Sequence, residues 1–123
     1  MGSKALFLAG EFVETSSVAP VSNPYDGSSV SEICFGNAEH LELAIGAAHE
    51  RLRANPNWLA HQRAEVLEKA RVGIENRLDD FADAIVKEAG KPRGLAIGEV
   101  QRCLDTFTDA AYAARSPLDT VEP

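Results

Sequence analysis

Two rhythms of apolar residues divide this chain. Over the first 36 residues they alternate in short runs, and from Asn37 onward they recur at helical spacing. Leu6, Leu8, Phe12 and Val13 flank an Ala9-Gly10 pair, which predicts a hairpin of two short strands turned at the glycine. Ser22-Asn23-Pro24-Tyr25-Asp26-Gly27 is a cluster of turn formers: Pro24 presets its own φ and Gly27 tolerates positive φ. Val30 to Phe35 then alternates, with Ser31, Ile33 and Phe35 on one side and Val30, Glu32 and Cys34 on the other. That is the pattern of a further strand with one face more buried.

Asn37 stands where a helix N-cap belongs, followed by Glu39 in the first turn, where negative charge suits the helix dipole. Leu41, Ala44, Ile45, Ala48 and Leu52 form one apolar stripe, and the helix is expected to stop before Asn55-Pro56-Asn57, because the residue before a proline is pushed out of the α region. A second helix is predicted from near Ala60, striped by Leu67, Ala70, Ile74 and Leu78. Asp79-Asp80 marks a fresh start, with Phe81, Ala82, Ile85, Val86 and Ala89 as the next stripe. Glu88-Ala89-Gly90-Lys91-Pro92 is the clearest stop: Gly90 can take the left-handed conformation that ends a helix, and Pro92 blocks continuation. The last stripe is Val100, Cys103, Leu104, Phe107, Ala110, Ala111 and Ala114, ending before Ser116-Pro117. The expected organisation is a β segment over 1–36, a helical segment over 37–115, and a tail over 116–123 leading toward a further strand, together one partial domain. The fold class is α+β, with a β-hairpin and a further strand followed by three to four amphipathic helices.

Composition adds exclusions. At 123 residues with 45% hydrophobic and 25% charged, the chain can bury a core and lacks the make-up of a disordered segment. Its net charge is −7, and residues 1–50 hold seven carboxylates against Lys4 alone. Non-specific nucleic-acid binding needs Lys and Arg to neutralise phosphates, so neither nucleic acid nor an anionic membrane is an expected partner. Ala5 to Ala9 is shorter than a signal-peptide core, Leu6 stands where a myristoylation motif wants Ser or Thr, and no run approaches the about 20 apolar residues of a membrane span. A cytoplasmic chain with two reduced thiols is the expectation.

Candidate chemistry is sparse. His40, His49 and His61 have neither metal-ligand spacing nor a cysteine pair beside them, and read as solvated or capping histidines. Cys103 falls on an apolar stripe and reads as a small hydrophobe; Cys34 shares a strand face with Glu32 and is given the same reading against a reactive thiol. Gly90-Lys91-Pro92-Arg93-Gly94 has the outline of a phosphate loop, but Pro92 follows the lysine where that motif has Ser or Thr, and proline removes an N–H donor. Gly94 and Gly98 form a small-xxx-small pair, which predicts close helix packing. The residues by themselves name no reaction.

Six segments nevertheless stand in a telling order and spacing: Leu6 to Val13, Ser22 to Val30, Ala44 to Ala48, Trp58 with Arg63, Glu88 to Pro92, and Gly98-Glu99-Val100 with Phe107. Together they resemble the amino-terminal stretch of the aldehyde dehydrogenase superfamily. The pairing of the Asn23-Pro24-Tyr25-Asp26-Gly27 turn with Ala89-Gly90-Lys91-Pro92 and Glu99 to Phe107 is most similar to the lactaldehyde and non-phosphorylating glyceraldehyde-phosphate dehydrogenase branch. The resemblance implies part of an α/β aldehyde dehydrogenase fold, with an aldehyde substrate, NAD or NADP and a homo-oligomer for the full-length enzyme. In that family a cysteine attacks the carbonyl, preorganised donors hold the oxyanion, hydride passes to the nicotinamide, and a glutamate activates water. Those residues lie in later motifs, so the catalytic, cofactor-binding and metal lists carried onto this sequence are empty, and this segment alone is expected to bind no cofactor. Glu99 matches a position that in some members carries a carboxylate near a structural monovalent cation; an exposed helix carboxylate is the other reading. The expectation is the opening quarter of a larger enzyme, inactive by itself. The alternative is a free-standing, non-catalytic helical interaction module derived from that family.

Overall fold

The computed structural model describes residues 4–55 and 58–115; the tail expected over 116–123 lies outside them. Four strands precede four helices: β1 Leu6–Leu8, β2 Glu11–Val13, β3 Val18–Ser22, β4 Ser29–Cys34, then α1 Ala38–Ala54, α2 Ala60–Glu75, α3 Leu78–Ala89 and α4 Arg93–Arg115. The α+β class holds, with one strand more than alternation predicts. That strand, β3, contains Pro20, a residue that argues locally against a strand. It is tolerated because β3 is one of only two strands in its sheet, where Pro20 sits opposite Glu32.

The residues divide into two compact units. The first comprises the described part of Met1–Pro56 with Lys87–Gly90. Its β1–β2 hairpin pairs Leu6 with Val13, Phe7 with Phe12 and Leu8 with Glu11. Ala9 (φ 53°) and Gly10 (φ 94°) both take positive φ, as a two-residue primed turn demands. Phe7 and Phe12 meet with their rings tilted at 56° and their centroids 5.2 Å apart, on the exposed side of the hairpin. The six-residue turn between β3 and β4 closes through Asn23 and Asp26. Asn23 Oδ1 accepts the Tyr25 N–H at 2.9 Å, Asp26 Oδ1 accepts the Ser28 N–H at 2.9 Å, and Gly27 has φ 73°. Lys4 joins the edge of β4, donating its N–H to the Glu32 carbonyl at 2.7 Å and accepting the Cys34 N–H at 3.0 Å. Its ammonium pairs with Glu88 at 2.7 Å. Helix α1 starts as expected at Asn37, in a capping box. Asn37 Oδ1 accepts the His40 N–H at 3.0 Å and His40 Nδ1 accepts the Asn37 N–H at 3.1 Å, an arrangement contributing about 1 kcal/mol. The apolar stripe of α1 differs from expectation: Leu41, Ile45 and Leu52 are exposed and no residue of this helix is buried.

The second unit comprises the described part of Asn57–Val86 with Lys91–Pro123. Its core is built from small residues. Ala82, Ala96 and Val100 are buried, with Ile74, Leu78, Ile85, Val86 and Ile97 packed around them, and Ala64 of α2 and Ala111 of α4 are also buried. Alanine at these positions lets helix backbones approach closely. Gly94 and Gly98 do not serve that purpose. A Cβ on either would meet nothing within 4 Å, so the close packing expected of this pair is absent among the described residues. Helix α2 begins with the Leu59 N–H donating to Gln62 Oε1 at 3.1 Å.

Candidate functional site

The motifs singled out in the sequence meet one another as joints of the fold. Gly90 ends α3 with φ 66°, and a Cβ there would lie 2.7 Å from Pro24 Cγ. Pro24 of the Asn-Pro turn and Gly90 at the end of α3 are thus two sides of one contact. Arg63 reaches from α2 to the carbonyl of Trp58 at 2.5 Å and, less closely, to that of Ala114 at 3.4 Å. A cation there satisfies a carbonyl in the last turn of α4, where the helix dipole is negative.

The Gly90-to-Gly94 segment leads into α4, whose N–H groups at Leu95 and Ala96 both donate to the Pro92 carbonyl. Its two basic side chains are engaged within the chain. Lys91 pairs with Glu99, and Arg93 pairs with Asp83 and, at 2.6 Å, with Asp79. A phosphate would have to displace carboxylates from both, so no anion cradle forms here. Glu99 also lies 3.7 Å from Arg102. The hydrogen bond from Lys91, more than the charges around it, holds the Glu99 carboxyl below its ordinary value.

Cys103 is half-buried on α4 and, with Glu99, Val100, Ile74, Phe81 and Ile85, lines a concavity of about 220 Å³. Cys34 is buried, and its Sγ receives the Thr15 N–H at 3.5 Å. No histidine lines the Cys103 concavity. His40 is engaged in the α1 cap, while His49 and His61 are exposed. Among the described residues no cluster of three or more His, Cys, Asp and Glu could hold a metal ion, and no helix is long and apolar enough to cross a membrane. A dinucleotide seat needs a glycine-rich turn between a strand and a helix that return to a parallel sheet. Both sheets among the described residues are antiparallel pairs, not a parallel sheet of that kind. A concavity of about 870 Å³ is an open groove between the β1–β2 hairpin and α1, unannounced by any motif.

A profile of the aldehyde dehydrogenase family matches residues 12–123. Among curated relatives, aspartate-semialdehyde dehydrogenase 1 of Pseudomonas canavaninivorans is 35% identical over 106 residues, covering 84% of this chain and 22% of its own. Lactaldehyde dehydrogenase from Escherichia coli superimposes with a TM-score of 0.85 at 31% identity, over 98% of this chain and 27% of that one. Betaine aldehyde dehydrogenase from Staphylococcus aureus gives a TM-score of 0.88 at 20% identity over 98% of this chain and 26% of its own, a likeness of fold alone. The chain spans about a quarter of the length of the relatives it matches.

Proposed function

Because the chain belongs to the aldehyde dehydrogenase family, we propose that it forms the amino-terminal, non-catalytic part of an NAD(P)-dependent oxidoreductase that converts an aldehyde into its carboxylic acid. One observation carries the reading: the family match spans residues 12–123 and covers about a quarter of the length of the relatives; the setting of the two cysteines supports its non-catalytic part. A reactive thiolate needs an electropositive, accessible setting. Cys34 is buried, and Cys103 shares an apolar concavity with the carboxylate of Glu99. When bound elsewhere in the enzyme, the nicotinamide accepts hydride from the substrate. The contribution of this segment is to hold its helices and hairpins in place through the Pro24–Gly90 contact, the Arg63 bridge and the two ion-pair sets on Lys91 and Arg93. A cytoplasmic homo-oligomer acting on an aldehyde is the setting that goes with this reading.

The test is direct. The purified 123-residue chain is offered NAD or NADP with a panel that includes lactaldehyde and aspartate semialdehyde, and the reduced nicotinamide is followed by its absorbance. No turnover above the protein-free rate is expected; turnover abolished by thiol alkylation would overturn the claim of inactivity. A second reading, a free-standing interaction module, is favoured by α1, which exposes Leu41, Ile45 and Leu52. Size exclusion with hydrogen exchange separates the two: a compact, cooperatively protected monomer supports the module, and a loose or associating species supports a segment that completes its packing on the rest of an enzyme.

A further inference from the structure

The groove between the β1–β2 hairpin and α1 combines an apolar floor with an acidic border. Leu8, Val13 and Leu43 contribute to the floor, and the exposed carboxylates of Glu11, Glu39, Glu42 and Glu50 line it. Residues three and four apart share a helix face, so Glu39, Glu42 and Glu50 border the same strip of α1 that presents Leu43 and Gly46. We propose that this groove is a docking seat for a cationic amphipathic helix, rich in Lys or Arg along one edge, from polypeptide outside these 123 residues.

Three observations select that occupant. First, among the described residues none of the four border carboxylates is in an ion pair, whereas on α2, α3 and α4 most carboxylates are, Asp105 and Asp109 being exceptions. An incoming helix with an apolar face and flanking cations would bury the floor and neutralise the border together; an uncharged or acidic one would desolvate carboxylates with no counter-charge. Second, a Cβ on Gly46 would meet nothing within 4 Å, which leaves the middle of the strip open to close approach. The strip runs along α1 for roughly 18 Å at about 1.5 Å per residue, three turns of a partner helix. Third, a second copy of this chain is a poor fit. Twofold pairing through this face would oppose the same carboxylates, Glu39, Glu42 and Glu50, across the interface, and like charges there are repulsive. Anionic lipid and nucleic acid are repelled for the same reason.

The probe is a fluorescently labelled peptide of about five turns with leucine and lysine at helical spacing, titrated with the 123-residue chain at low and physiological salt. The expected result is saturable binding that weakens with salt and falls by about tenfold or more in Glu39→Lys/Glu42→Lys. Gly46→Leu, which fills the strip without changing charge and suits a helix better than glycine, is expected to weaken it similarly. The matching leucine and glutamate peptide is expected not to bind. Circular dichroism of each variant establishes that the helices persist. The proposal fails if the lysine peptide does not bind, if both peptides bind alike, or if binding is unchanged in both variants. It also fails if the chain self-associates in a manner that Gly46→Leu abolishes, which assigns the groove to a second copy. A failed peptide titration leaves the dehydrogenase reading standing, since that reading rests on the family match and is tested separately by the turnover assay.

Discussion

At Gly90 two constraints coincide that are separate elsewhere in the chain. Its φ of 66° belongs to the left-handed region, and its missing Cβ leaves space that Pro24 fills. Gly27 shares the first constraint, with φ 73°, but nothing lies within 4 Å of where its Cβ would be. Gly27→Ala is therefore expected to cost about 1–2 kcal/mol, the price of left-handed backbone alone. Gly90→Ala is expected to cost a further ~1 kcal/mol or more, because a contact at 2.7 Å forces Pro24 or the helix end to move. Urea unfolding of the three chains measures the difference. Adding Pro24→Ala, which deletes the Cγ and Cδ but keeps the Cβ at 3.7 Å, should return Gly90→Ala to the Gly27→Ala level after allowing for Pro24→Ala alone. Equal costs for the two glycine variants would mean that Pro24 yields freely and the joint is not a constraint.

Among the elements, the second unit depends on alanines where a larger core would use leucines. Ala82 of α3 is fully buried between α2 and α4 side chains, whereas Ala84, two positions on, faces solvent. Ala82→Leu is expected to destabilise by about 1–3 kcal/mol through overpacking, and Ala84→Leu to stay within about 0.5 kcal/mol; thermal unfolding of both, with the near-ultraviolet signal of Trp58 as a second probe, checks the pair. How legible each element was in the sequence follows the same division between local and distant causes. The caps at Asn37 and Gly90 and the α2 stripe of Leu67, Ala70 and Ile74 were legible, because capping and periodicity act within a few residues, whereas Leu78, expected to continue that stripe, opens α3 instead. Strand β3 was not, since Pro20 obscures it and only pairing with β4 reveals it. The α1 stripe was legible as a pattern, but its exposure was not, because periodicity shows which face is apolar and not what lies against it. The acidic groove was hidden: its border joins Glu11 to Glu39, Glu42 and Glu50 across a hairpin and a helix that no local signal brings together.

For the whole molecule, the surface balance sets how it responds to acid. Phe7, Phe12, Leu41, Leu52 and Leu95 are all more than half exposed, while the chain carries a net charge of −7 that keeps copies apart at neutral pH. Four carboxyls are held below their ordinary values by specific partners: Asp26 by hydrogen bonds from Ser28, Glu65 by Lys69, Glu68 by Arg71 and Glu99 by Lys91. A carboxyl whose value is lower in the folded chain than in the unfolded one stabilises the fold above the unfolded value. That stabilisation is lost as pH falls through the folded value. For the three glutamates the loss begins near their ordinary 4.5, and for Asp26 near 3.8. Stability is therefore expected to be level around neutrality and to decline below about pH 4.5, where the negative charge that limits association is also disappearing. Glu99→Gln isolates one contribution. It leaves Lys91 and Arg102 facing a neutral amide, so the variant should unfold at a lower temperature than the parent at pH 7. The two should converge on acidification, because protonated Glu99 no longer pairs with Lys91 either. Added salt should narrow the gap at pH 7, since the pair is partly exposed. Melting curves that stay parallel from neutral pH down to about 3 would show that the Lys91–Glu99 pair contributes nothing to the acid response.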